Sequence, residues 1–188
     1  CLFPTLQNDW VNWDDPAYVL QNLLVQDLSN NGVYEMFTTN EQVGLYHPIT
    51  LLSLSIDYYF WETDAFGYHL TNFLFHTVNV LLVFALLKKL KLSPLVAFIG
   101  ALLFGMHPMH VESVAWISAR KDVLYTFFFL ISIITYLYYI RKEGKYKVAW
   151  YVIAIVAFTV SLLSKSLGFT LPIVLLLIDY LLERKTTI

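Results

Sequence analysis

The chain has 188 residues, 58% of them hydrophobic and 14% charged, with a mean hydropathy of +0.61. Ordinary globular usage is roughly 45–50% apolar and about 25% charged, and a soluble core of this size cannot hide so many Leu, Ile, Val and Phe side chains, so lipid must supply part of the solvent. The net charge of −2 argues against a nucleic-acid partner, and the single cysteine, Cys1, permits no internal disulfide.

Residues 1–69 are polar and aromatic, with Trp10, Trp13, Tyr18, Asn30 and Asn31 punctuating short segments. Within them, 49–61 is apolar but carries Asp57 and ends in Tyr58, Tyr59 and Trp61. At 13 residues it suits an interfacial or re-entrant helix better than a span. A spanning helix needs about 20 mostly apolar residues. Segments 70–87, 94–106, 123–140, 150–164 and 171–182 meet or approach this, so 70–188 is predicted to form a transmembrane helical bundle. The fold class is thus all-α: a polytopic integral membrane helix bundle of about five spanning helices plus outer-loop interfacial helices. The ends at Cys1 and Ile188 are read as those of a piece of a longer chain.

If the five spans alternate, Lys88, Lys89, Lys91, Arg141, Lys142, Lys145, Lys147, Arg184 and Lys185 share one side, nine of the twelve cations. The positive-inside rule makes that side cytoplasmic. Residues 1–69, the loop 105–122 and the turn 164–169 then share the outer side with eleven of the fourteen carboxylates. His47, His69, His107 and His110 lie there too.

Four constellations can carry chemistry. Asp14 and Asp15, followed by Pro16, can both face one cavity at a turn, as a general base or as metal ligands. The same residues also make an ordinary helix start. His107, His110 and Glu112 can hold a divalent ion, although their spacing is not a standard zinc-helix spacing; interfacial hydrogen bonding is the alternative. Arg120, Lys121 and Lys165 are the outer cations and suit an anionic lipid headgroup, or else anchor the chain in the headgroup layer. Finally, His69, Asn72, His76 and Asn79 fall within roughly 80° of helical arc on the first span. Such a stripe serves as hydrogen-bonding glue between helices, or lines a polar path as in a transporter or flippase. Asp179 reads as structural.

The stretch His107-Pro108-Met109-His110-Val111-Glu112-Ser113-Val114-Ala115-Trp116, followed by Arg120-Lys121-Asp122, resembles the membrane half of the transmembrane-and-tetratricopeptide-repeat O-mannosyltransferases and their bacterial relatives. The run Asn12-Trp13-Asp14-Asp15 is similar to the acidic motif of the wider GT-C superfamily of lipid-sugar-dependent glycosyltransferases. Tyr46-His47-Pro48 and Leu163-Ser164-Lys165 resemble further segments. The resemblance implies a GT-C-like bundle in the bacterial cytoplasmic membrane or the endoplasmic reticulum, with an extracytoplasmic active face. It implies transfer of a mannose-like sugar from a polyprenyl (dolichyl or undecaprenyl) phosphate to a hydroxyl of a protein or glycan acceptor, by an inverting displacement. Asp14 would be the base, with Asp15 as its alternate or partner. Arg120 and Lys165, with Lys121 and Glu112, would bind the donor and its phosphate. The pattern departs from the family in lacking a membrane helix before Cys1 and a 34-residue helical repeat before Ile188. A purely structural membrane scaffold is the third reading.

Overall fold

The computed structural model describes residues 2–39, 45–141 and 144–183. Lys142, Arg184 and Lys185, expected on the basic side, lie outside them. The described residues are helical and contain no strand. The first segment holds turns at Phe3–Gln7 and Pro16–Leu20, then two short helices, α1 (Leu23–Gln26) and α2 (Asn30–Thr38). Both have polar caps: Asn22 accepts from the amides of Leu24 and Val25, and Ser29 from that of Gly32.

Helix α3 (Pro48–Trp61) follows the predicted segment closely. It turns Thr50, Leu51, Leu54, Ser55 and Asp57 inward and leaves Ile56, Tyr59 and Phe60 exposed. The corner into α4 (Ala65–Lys89) has Asp64 as its cap and brings the Trp61 indole onto Gly67, where any Cβ would collide with the ring. Helix α4 then runs 25 residues to Lys88 and Lys89, cations that suit a helix C-terminus.

Ser93 caps α5 (Pro94–Met106), with Pro94 in the first turn. Then come α6 (His110–Ala115), a tight turn at Ile117–Ala119, α7 (Arg120–Arg141), α8 (Lys147–Ser164), a turn at Ser166–Thr170, and α9 (Leu171–Leu181). By length and composition, α4, α7 with its preceding turn, and α8 can each cross a membrane. Segments Pro94–Met106 and Ser166–Leu181 are apolar but shorter. At 1.5 Å per residue, the 13 residues of α5 reach only about 20 Å, less than a hydrocarbon core of about 30 Å. The five expected spans are therefore three long helices and two short apolar ones.

Helix α7 packs along α8 and α4, and α4 also packs along α5. Ala154, Ala157 and Ser161 recur at three- and four-residue spacing and form the buried face of α8. Their small size lets the backbones approach closely. Ser161 Oγ donates to the Tyr125 carbonyl at 3.0 Å, and Ser132 Oγ of α7 to that of Ala154 at 2.8 Å. At the basic end Ile133, Leu137 and Ile178 form a small core with Leu86, Leu90 and Ile140. There the Lys89 ammonium sits 3.2 Å from the Tyr138 ring centroid. Asp179 accepts a hydrogen bond from Tyr136 at 2.6 Å. At the opposite end Tyr18, Val19, Leu24, Val25, Met36, Leu51, Leu54, Tyr68 and Ile117 form a larger core under the first segment. This cap gathers the starts of α3, α4 and α7 with α6 and the end of α8.

Candidate active site

The site is built around the start of α7. Arg120 is fully buried and is the largest side chain to be so. Its guanidinium donates to the Asn72 side-chain carbonyl, to Ser53 Oγ at 2.8 Å, to the Asp57 carboxylate at 2.5 Å and to the Tyr68 carbonyl at 3.0 Å. Asp57 also accepts from Thr71 Oγ1 at 2.9 Å. The pair sits in a dry setting, where an ion pair is tolerated only when its remaining donors and acceptors are satisfied. The fan of donors thus joins α3, α4 and α7 and is committed to the protein interior rather than to an outward-facing phosphate.

Asp15 makes a second clamp. It is fully buried and accepts from the Ser118 amide at 3.0 Å, from the Ser118 hydroxyl and from the Val11 amide at 2.9 Å. Asp14, its neighbour, is half-buried, and its carboxylate has no hydrogen-bond or ion-pair partner among the described residues. Adjacent carboxylates thus have different environments: one is tied to the start of α7 and the other is left available.

The two residues after Arg120 carry further charges. The Lys165 ammonium pairs with the Asp122 carboxylate. Lys121 donates to the Tyr18 hydroxyl at 3.4 Å and lies 5.9 Å from the Trp116 ring centroid. Thr50 Oγ1 donates to the Ser164 carbonyl at 2.9 Å, fixing the start of α3 against the end of α8. His47, just before α3, is buried in this neighbourhood. Burial pushes its imidazole below the ordinary histidine range, and the charges of Lys121 and Lys165 push it further, with the Tyr46 backbone and then Asp122 opposing them.

Helix α6 separates two hollows. One, of about 250 Å³, is lined by His76, Asn79, Phe104, His110, Ser113 and Asp122 among others. The other, of about 540 Å³, is lined by Asn8, Val11, Trp13, Glu112, Ala115 and Trp116. His110 and Ser113, three apart, face the first; Glu112 and Ala115, also three apart, face the second. The donors expected to share a metal are therefore divided. The His107 and His110 rings lie 5.9 Å apart between centroids, and Glu112 lines the opposite hollow. Among the described residues no group of three His, Cys, Asp or Glu side chains converges to hold an ion. Burial and the neighbouring His76 and His107 disfavour a charge on His110.

The polar stripe of α4 is used as glue. Asn72 Nδ2 donates to the Trp116 carbonyl at 3.0 Å and Asn79 Nδ2 to that of Val123 at 2.8 Å, while His76 Nε2 lies 3.1 Å from the Gly105 carbonyl oxygen. These bonds tie α4 to its neighbours, and His76 and Asn79 also line the smaller hollow. Sequence reasoning missed the pairing of Asp57 with Arg120 and the placement of His47. A signal for the first was present: Thr50, Ser53 and Asp57 recur at three- and four-residue spacing on an otherwise apolar helix.

A bundle with membrane-length helices and a buried, charge-rich site at one end defines an all-α integral membrane protein. Residues 39–185 match the family model described as dolichyl-phosphate-mannose-protein mannosyltransferase, and the chain belongs to that family. The resemblance read from the histidine-rich loop and the Arg120-Lys121-Asp122 run is borne out. The chain is 30% identical over 195 residues to Protein O-mannosyl-transferase TMTC4 of Homo sapiens, covering 90% of this chain and 26% of that protein. It is 32% identical over 183 residues to Protein O-mannosyl-transferase F38B6.6 of Caenorhabditis elegans, covering 95% and 24%. With Protein O-mannosyl-transferase TMTC3 of Homo sapiens it shares 35% identity over 128 residues, covering 66% and 14%. The chain thus spans about a quarter or less of the length of these relatives: 26% of the first, 24% of the second and 14% of the third. No solved structure matches it.

Proposed function

We propose that this chain is the membrane-embedded catalytic part of a protein O-mannosyltransferase. In this reading it moves a mannose-like sugar from a polyprenyl phosphate to an acceptor hydroxyl on the extracytoplasmic face. The observation that carries the reading is the arrangement at the capped end. An available carboxylate, Asp14, adjoins a clamped one, Asp15, and the clamp ends on the turn that begins α7, where Asp122 pairs with Lys165 and Lys121 reaches the Tyr18 hydroxyl. Family membership and the relatives' printed names support the sugar and the reaction class. The gathering of most cations at the other end supports the sidedness.

In the reaction, Asp14 accepts the acceptor hydroxyl's proton as its oxygen attacks the anomeric carbon from the face opposite the phosphate. The bond from that carbon to the phosphate oxygen breaks, and the configuration inverts. Polyprenyl phosphate leaves with the electron pair, and Lys165 and Lys121 stabilise its growing charge. Arg120 contributes from behind by fixing where α7 begins. Glu112, exposed on the rim of the larger hollow, is placed to accept a hydroxyl of donor or acceptor. The test is transfer by the full-length protein from a polyprenyl-phosphate mannose to a hydroxyl peptide. Asp14→Asn should abolish product while the protein still binds donor; wild-type turnover in that variant overturns the assignment.

A further inference from the structure

The groups around Lys121 and Lys165 include one that the proposed reaction leaves unused. His47 is 5% exposed, and its Nδ1 is buried without a hydrogen-bond partner. It stands at the entry to α3, which Thr50 holds against the Ser164 carbonyl, so the backbone carrying it is fixed beside Lys165. The charged groups that act on it come from two elements: Lys121 and Asp122 from α7, and Lys165 from the end of α8. On its own segment it meets the backbone of Tyr46. A buried imidazole beside two ammonium groups, with the Tyr46 backbone near it and no side-chain partner, is an incomplete arrangement. An anion between the two lysines completes it, because negative charge favours the imidazolium and supplies an acceptor for its N–H.

Building on the mannosyltransferase reading, we propose that His47 is the third member of the phosphate-binding cradle, and that it takes up a proton from solvent when the donor's phosphate enters between Lys121 and Lys165. The proton goes to the imidazole, with no covalent bond made or broken. It returns to solvent when polyprenyl phosphate departs. His47 thus acts as a positioning and charge-balancing residue that donates a hydrogen bond to the phosphate it helps to hold.

The sign of the pH dependence follows from linkage. In the empty site the imidazole titrates below its ordinary value, and in the loaded site above the empty-site value. The gain in donor affinity is full below the empty-site value and is lost as pH rises through the loaded-site value. A sugar phosphodiester keeps one charge throughout this range, so any such change belongs to the protein.

The test uses the full-length protein with polyprenyl-phosphate mannose and a hydroxyl peptide. The wild-type donor KM should rise several-fold between about pH 6 and about pH 8.5, the range around the ordinary histidine value. His47→Gln should raise KM at the lower pH and remove the slope, with a smaller effect on kcat. An unchanged slope in His47→Gln, or an effect on kcat alone, overturns the proposal. Calorimetry of donor binding to the wild type without acceptor, in two buffers of different ionisation enthalpy, gives a readout that needs no variant to fold. Net proton uptake near neutral pH supports the cradle, and none overturns it. Donor binding with proton uptake but no transfer to any hydroxyl would instead sink the mannosyltransferase reading and leave the cradle standing.

Discussion

The two ends of this molecule are built for different surroundings. At the capped end, residues 2–39 and α3 cover a core that would suit a soluble protein, and beneath it lie Arg120, Asp57, Asp15 and Asn72, all buried and hydrogen-bonded. Along the flank the order is inverted. Leu95, Phe98 and Leu103 of α5, Leu81 of α4 and Leu176 and Leu177 of α9 are exposed, while Ala154, Ala157 and Ser161 of α8 are buried. Small residues inside and large apolar ones outside are the mark of a surface that meets lipid, where burying leucine between helices gains nothing over leaving it in acyl chains. The same chain therefore spends its polar residues at one end, where rigidity matters, and its large apolar ones where contact with lipid matters.

Substitutions can break this contrast, beginning with the largest effect. Arg120→Met should lower stability by about 3–5 kcal/mol, because Asp57 is left buried without its counter-charge. Adding Asp57→Leu should recover much of that loss; thermal unfolding of the single and double variants checks this. Asp14→Asn should reduce transfer by about 10²–10⁴-fold, the range for a general base, with an unchanged unfolding temperature. Asp15→Ala at the neighbouring position should cost about 1–3 kcal/mol of stability by orphaning the Ser118 and Val11 amides. Equal behaviour of the two aspartate variants would erase the division of labour between them. On the flank, Leu81→Asp should disfavour membrane insertion by about 2.5–3.5 kcal/mol, whereas Leu81→Ala should be nearly silent. Insertion that tolerates the aspartate would show that this surface does not face lipid. The smallest effect concerns His110. Its folded-state proton affinity is lowered by burial, so the unfolded chain binds the proton first, and stability should fall slightly as pH drops below about 6.5. His110→Phe should flatten that decline in an unfolding series against pH.

The flank was the more legible region. Long apolar runs bounded by lysine and arginine report spanning helices directly, and the stripe His69, Asn72, His76, Asn79 announced itself by helical spacing. The capped end was harder to read because its decisive contacts join residues far apart in sequence, such as Asp57 to Arg120 and Asp15 to Ser118. Nothing local distinguishes Asp14 from Asp15. Only the fold of the first segment over α7 decides which carboxylate is enclosed. The short α5 and α9 stand apart from the three long helices because hydropathy registers apolar character and not helix length.

The pairing of Lys165 with Asp122 has a consequence for selectivity. A lysine that already holds a carboxylate has a prior claimant, and an arriving anion has to displace or share it. In the mannosyltransferase reading, a weak, fully hydrated inorganic anion would gain too little to unseat that tethered neighbour. A ligand anchored by a long lipid chain arrives at high local concentration and can compete. Asp122 would then discriminate by chemistry at a distance from the sugar, rejecting anions that lack a tail rather than recognising the tail itself.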